Sequence, residues 1–109
     1  MKIVSGAGAY RTPEPGKRSD YAEHLRVPDM SIGTYSIPAR GHDGQTPHGE
    51  DEIYIVTKGR ARFLSDTGET AVGPGDVIYV PAGEEHRFVE VTEDLAVIVV
   101  FAPAETDTD

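Results

Sequence analysis

From Ser31 onward, apolar and polar side chains alternate in short runs, and a turn signal closes each run. SIGTYSI (31–37) is rich in β-branched and aromatic residues and is stopped by Pro38. ARGHDGQTPHG (39–49) has the composition of a loop. EIYIV (52–56) then runs to a turn at Lys58-Gly59, RARFLS (60–65) follows, and Asp66-Thr67-Gly68 makes a hairpin turn into ETAV (69–72). Gly73-Pro74-Gly75 turns the chain again into DVIYV (76–80), Pro81-Ala82-Gly83 breaks that run, and HRFVEV (86–91) resumes. LAVIVVFA (95–102) is a continuous apolar run, as expected of a strand covered on both faces, and is far too short to cross a membrane as a helix. Short strands with a turn signal every 8 to 12 residues or so predict an all-β sandwich or barrel. No stretch beyond residue 30 carries a helical period.

The first thirty residues read differently. Gly6, Gly8, Pro13, Pro15 and Gly16 break any long element before residue 18, although Met1–Val4 could add a short edge strand. The GAGA at 6–9 is no phosphate loop, because no helical pattern follows it. In SDYAEHLRV (19–27), Ser19 could cap a helical turn, yet Tyr21, Glu23, Leu25 and Val27 alternate as a strand would. A turn followed by a strand is the preferred description. Three parts are therefore expected: an N-terminal arm over 1–30, a β-barrel over 31–102, and an acidic tail over 103–109 that frays into solvent.

Composition narrows the partners. A chain of 109 residues makes one domain, and without cysteine it has no disulfide, thiolate metal site or cysteine nucleophile. A net charge of -9 disfavours nucleic acid and anionic membrane, both of which need basic surface. No apolar run reaches the length of a membrane span and MKIVSGAGAY lacks a signal-peptide core, so a cytoplasmic location is expected. Asparagine is absent and Gln45 is the only glutamine, which leaves little side-chain amide for reading a ligand.

The candidate chemistry lies in two stretches about thirty residues apart, QTPHGEDEIYIVTKG (45–59) and GDVIYVPAGEEHRFVE (75–90). On a strand, side chains two or four apart share a face. If Glu52 points inward, so do Tyr54 and Val56; His86, Phe88 and Glu90 likewise share a face. His48 lies four residues before Glu52, with Gly49 to ease the bend. His48, Glu52 and His86 can thus make a facial triad of two imidazoles and a carboxylate. That set suits one divalent iron, manganese, zinc or nickel ion and leaves positions open for water or substrate. Glu90 would lie roughly 13 Å from His86 at about 3.3 Å per residue, too far to join.

These stretches resemble the two motifs of the cupin superfamily, G-x5-H-x-H-x3/4-E-x6-G and G-x5-P-x-G-x2-H-x3-N. His48, Glu52 and Gly59 take the second histidine, glutamate and closing glycine places of the first; Gly75, Pro81, Gly83 and His86 match the second with every interval in register. The resemblance implies a small double-stranded β-helix (jelly-roll-like) barrel with a metal at its mouth. Two of the departures from the pattern bear on the site. Thr46 stands where the first histidine belongs, and Glu90 where the asparagine belongs. The fourth ligand would then be water, or failing that Gln45, which reaches the metal only if Thr46-Pro47 bulges, with His42 and Thr46 as further candidates.

Each remaining residue has a plainer role to set against a chemical one. Tyr54, Phe88 and Tyr35 are barrel core or pocket wall, His24 a surface or contact residue, and Glu50 and Asp51 solvated carboxylates that could steady a ligand histidine. Arg60 and Arg62 could meet an anion but make an ordinary solvated face. Gly59, Gly75 and Gly83 serve backbone turns. Three functions are compatible with this: a metal-dependent enzyme on a small oxygen-rich molecule (dioxygenase, isomerase, lyase or decarboxylase), a non-catalytic ligand-binding or sensor barrel, and a metal-free isomerase with a histidine–carboxylate pair and a tyrosine opposite. The first is slightly preferred. A homodimer is expected, since LAVIVVFA is more apolar than a solvated barrel wall needs.

Overall fold

The computed structural model describes residues 1–44 and 47–106. Eight strands follow in order: β1 (Asp20–Val27), β2 (Met30–Ile37), β3 (Asp51–Lys58), β4 (Ala61–Ser65), β5 (Gly68–Val72), β6 (Val77–Val80), β7 (His86–Val89) and β8 (Leu95–Ala102). They form a five-stranded sheet in the order β1-β2-β8-β3-β6 and a three-stranded sheet in the order β5-β4-β7. Every pairing is antiparallel, and the described residues contain no helix.

Alternation decides what each strand buries. Tyr35 and Ile37 of β2, Tyr54 and Val56 of β3, and Leu95, Val97, Val99 and Phe101 of β8 point between the sheets. Ala61, Phe63, Val72 and Phe88 answer them from the smaller sheet. Tyr54, Phe63 and Phe88 meet edge to face, with ring centroids 5.0 Å (Tyr54–Phe88), 4.9 Å (Phe63–Phe88) and 5.8 Å (Tyr54–Phe63) apart. Each such side chain contributes about 1.5–3 kcal/mol on burial, so this stripe holds the sheets together.

Strand β8 is less enclosed than its apolar run predicts. Its inward residues are buried, but Ile98 and Val100 on the outer face stay half-exposed. Part of that face is covered by the N-terminal arm. The Gly8 N–H donates to Thr34 Oγ1 at 2.8 Å, Thr57 Oγ1 donates to the Gly8 carbonyl at 2.6 Å, and the Arg11 N–H donates to Ser36 Oγ at 3.1 Å. Met1–Val4 form no strand, and Ile3 is 76% exposed.

The region 19–27 is a strand, as preferred, and it extends the larger sheet. Its alternation is interrupted where the register to β2 shifts between Glu23 and Leu25. There His24 is half-buried on the outer face, with Nε2 2.6 Å from Thr34 Oγ1. The tail, expected to fray from residue 103, is held as far as Thr106. The Ala104 N–H donates to the Pro28 carbonyl at 3.3 Å and the Glu105 N–H to Ser31 Oγ at 3.0 Å. Residues 107–109 lie outside the described residues.

Asp43, in the loop before β3, joins the two sheets. It is buried, and its carboxylate accepts from the Tyr35 hydroxyl and from the Phe88 N–H, each at 2.9 Å. Gly59 carries the turn after β3 at φ +89°, where a Cβ would stand 2.2 Å from the Asp94 carbonyl oxygen. Backbone cannot swing aside as a side chain can. Gly59→Ala should therefore cost about 2–4 kcal/mol. At Gly33 an added Cβ would instead meet the end of the Tyr21 ring, 2.3 Å from its hydroxyl, and that ring is 37% exposed and free to move out. Gly33→Ala should cost only about 1 kcal/mol. Urea unfolding midpoints of the two variants check this ranking.

Candidate functional site

Strand β3 delivers Glu52 to the end of the core stripe. Glu52, Tyr54 and Val56 are all buried, while Ile53 and Ile55 turn outward. Glu52 is 1% exposed, and its neighbours in the sheet are Phe101 and Val80. From the facing sheet β7 contributes His86, whose own neighbour is Ser65 of β4. The two meet: His86 Nε2 lies 3.1 Å from Glu52 Oε1. The Tyr54 hydroxyl reaches the same nitrogen at 3.0 Å.

The other side of the ring fixes its protons. His86 Nδ1 is 2.8 Å from the Glu84 carbonyl, which can only accept, so Nδ1 carries a hydrogen. In the neutral ring Nε2 is then a lone pair facing a carboxylate. Burial alone would lower the imidazole pKa from its usual 6.5, but the Glu52 hydrogen bond, the Glu84 carbonyl and the charges of Glu52 and Asp43 outweigh it, and the net shift is upward. Burial, reinforced by the charges of Glu52 and Asp43, pushes the Tyr54 phenol well above 10. Tyr54 is thus a hydroxyl donor at any physiological pH.

His48 sits at the same end of the sheet but joins a different set of neighbours. Its ring packs edge-on against Phe101 at 4.9 Å, the residue paired with Glu52 across the β3–β8 ladder. Nδ1 lies 3.4 Å from Glu105 Oε2, without hydrogen-bond alignment, and both ring nitrogens are buried with no hydrogen-bond partner. Glu52 Oε2 and Glu50 Oε1 are also buried and unpartnered. Glu50, expected at the surface, is only 5% exposed and accepts from Thr106 Oγ1 at 2.7 Å through its other oxygen. Burial raises the Glu105 carboxyl pKa, His48 lowers it, and Glu50, Glu52 and Glu23 raise it further.

The chemistry of the donor set fits a divalent cation: a buried carboxylate and two imidazoles with unpartnered or lone-pair atoms. Their spacing is incomplete. Glu52 and His86 are as close as neighbouring metal ligands, about 3 Å, would be, but no three His, Asp or Glu side chains among the described residues are disposed to hold an ion. Gln45 and Thr46, the nearest further candidates, lie outside the described residues. His42 is exposed and lines a surface cavity of about 590 Å³ with Arg40, Asp43 and Arg87.

Tyr54 and Phe88, read as pocket wall or core, belong to the core. A cavity of about 360 Å³ opens beside His86, between Pro47, Leu64, Ser65, Glu85 and Arg87. Sequence reading missed Asp43 and Glu105. Both look like solvated acids in a turn-rich loop and a tail, and no local signal marks them as buried or packed. Arg62 pairs with Glu69 and lies 3.8 Å from Glu90, the ordinary solvated arrangement expected of it.

Comparison with known proteins agrees with this fold. The chain is 45% identical over 86 residues to an uncharacterized protein of Streptomyces coelicolor, covering 79% of this chain and 82% of that one. In three dimensions it is similar to KdgF of a Halomonas species, with TM-score 0.73, 22% identity, and 86% and 84% of the two chains covered. It is also similar to an RmlC-like cupin of Methanocaldococcus jannaschii with a double-stranded β-helix fold, with TM-score 0.70, 18% identity, and 87% and 89% covered. No helix among the described residues is long and apolar enough to cross a membrane. A model of the cupin domain matches residues 33–102, from the middle of β2 to the end of β8. That is well over half of the chain, and the protein belongs to the cupin family as a single small cupin domain.

Proposed function

We propose that this cupin holds a divalent metal ion with Glu52, His86 and His48 and uses it on a small oxygen-rich molecule. One observation carries the reading. The tautomer set by Glu84 points the His86 Nε2 lone pair at the buried Glu52 carboxylate 3.1 Å away, and both atoms call for one positive partner. Below the raised pKa of His86 a proton is that partner; above it the Tyr54 hydroxyl can donate to Nε2, and a cation would satisfy the nitrogen and the carboxylate together. The unpartnered Glu52 Oε2 and His48 nitrogens add to the same demand, since buried polar atoms left unmatched are costly. Iron, manganese, zinc or nickel would fit the donors, and such an ion, when bound, supplies Lewis acidity or, for iron, oxygen chemistry. Tyr54 stays protonated and holds the His86 ring, and the cavity beside His86 supports entry of a small ligand.

A second reading, a barrel that binds its ligand without turnover, is favoured by how little of the His86 side chain is open, 1%. The metal-free isomerase finds less support. Its tyrosine should face the histidine across a substrate, whereas Tyr54 is hydrogen-bonded directly to His86 and leaves no room between them.

Elemental analysis of untagged protein should find about one such metal per chain. His48→Ala and His86→Ala should each lose it while keeping β-sheet circular dichroism. Wild-type protein that takes up no metal after soaking would leave the binder.

In metal-free protein the His86 ring should titrate above 6.5 by NMR, and Glu52→Gln should lower that value. The sign follows from linkage. A pKa raised on folding adds stability that is full below the unfolded value, about 6.5, and is lost as pH rises through the folded one. Glu52→Gln should flatten this part of the stability–pH curve.

We also propose a homodimer through the outer face of the larger sheet, beyond the reach of the arm. Val77 and Tyr79 are 64% and 61% exposed, and their partners across the ladder are Ile55 and Ile53. They make one apolar patch. Light scattering should give twice the chain mass, falling to one chain for Val77→Lys with Tyr79→Lys. A monomeric wild type would remove the proposal.

A further inference from the structure

After β8 the chain turns back as a strap across the end of the barrel where His48 lies. Four contacts fix its course. The Ala104 N–H donates to the Pro28 carbonyl at 3.3 Å, the Glu105 N–H to Ser31 Oγ at 3.0 Å, Arg26 to the Glu105 carbonyl at 2.6 Å, and Thr106 Oγ1 to Glu50 at 2.7 Å. Between them the Glu105 side chain is directed inward, and its Oε2 stands 3.4 Å from His48 Nδ1. The other flank of the imidazole is closed by Phe101, edge-on at 4.9 Å. Nε2 is buried and makes no hydrogen bond.

We propose that Glu105 is a positioning residue for His48, its carboxylate holding the hydrogen on Nδ1 so that Nε2 is left as the free lone pair. A carboxylate only accepts, so a ring turned to it must offer N–H at Nδ1. At 3.4 Å the pair is at ion-pair distance, and Glu105 Oε2 is the carboxylate oxygen that faces the otherwise unpartnered Nδ1. The strap thus does for His48 what the Glu84 carbonyl does for His86, where Nδ1 is anchored at 2.8 Å and Nε2 faces the site. Imidazoles that bind metal commonly donate their other nitrogen to a carboxylate or carbonyl, which sets both tautomer and orientation. The role of Glu105 rests on the proposed ligation by His48 for its purpose. Its effect on the ring does not need a metal.

The test separates the two. In metal-free, ¹⁵N-labelled protein at pH 8, long-range nitrogen–proton spectra should show His48 as the Nδ1–H tautomer, like His86. Glu105→Ala should move His48 to the Nε2–H form or to a mixture, with His86 unchanged and the amide spectrum otherwise intact. Zinc affinity, measured against a chelator, should fall ten- to a hundredfold in Glu105→Ala and less in Glu105→Gln, whose amide carbonyl still accepts. Wild-type His48 in the Nε2–H form would overturn the proposal without any variant, as would an unchanged tautomer in Glu105→Ala. If the tautomer moves but the wild type takes up no zinc, Glu105 keeps its role and the metal reading fails.

Discussion

Strand β3 has a partner on each side, β8 and β6, and the position of everything at the site depends on its register. A slip of one residue would turn Tyr54 and Val56 into solvent and bring Ile53, Ile55 and Thr57 inward. The apolar stripe therefore holds the register, and the same alternation carries Glu52 to the end of that stripe. A carboxylate placed so is expensive to bury. It is tolerable because His86 and Tyr54 arrive at the same place from the facing sheet and from two residues along its own strand.

The separation of Glu52 and His86 is in turn set by the core. Phe63 and Phe88 are paired across β4 and β7, and both rest on Tyr54. His86 stands two residues from Phe88 on the same face of β7, and its ring lies stacked on Phe63 at 5.9 Å. Asp43 fastens the loop to both sheets from the other side. Shrinking one of these rings would move the imidazole relative to the carboxylate without touching either.

The sequence revealed the strands closely, because alternation and turn residues are local properties. Glu52 facing inward followed from Tyr54 and Val56. The motifs led to the expectation that His48, Glu52 and His86 converge; the fold brings Glu52 and His86 to 3.1 Å and sets His48 against Phe101 and Glu105. What could not be read was decided across space. The Tyr54 hydroxyl ends beside His86 only because the sheets pack as they do. Strand β1 looked ambiguous because Ser19 could cap a helical turn, and the register shift between Glu23 and Leu25 is invisible in its alternation. Glu105 has the composition of a solvated tail, and the hydrogen bonds of its backbone to Ser31 and Arg26 and the approach of its carboxylate to His48 distinguish it from one. Gln45, the glutamine weighed as a fourth ligand, falls outside the described residues.

The place of β8 in the larger sheet has a consequence for how the chain is made. It lies between β2 and β3, although it is the latest of the eight strands in chain order. During synthesis β2 and β3 emerge long before the strand that separates them, and each waits with one edge unpaired. In the larger sheet only the β1–β2 and β3–β6 pairs can form early, and the smaller sheet, with its β4–β5 hairpin, can close by itself. The halves cannot join until residue 102 has left the ribosome, so this barrel closes late and all at once. A ribosome stalled between β3 and β8 would hold two exposed strand edges, the state most open to aggregation.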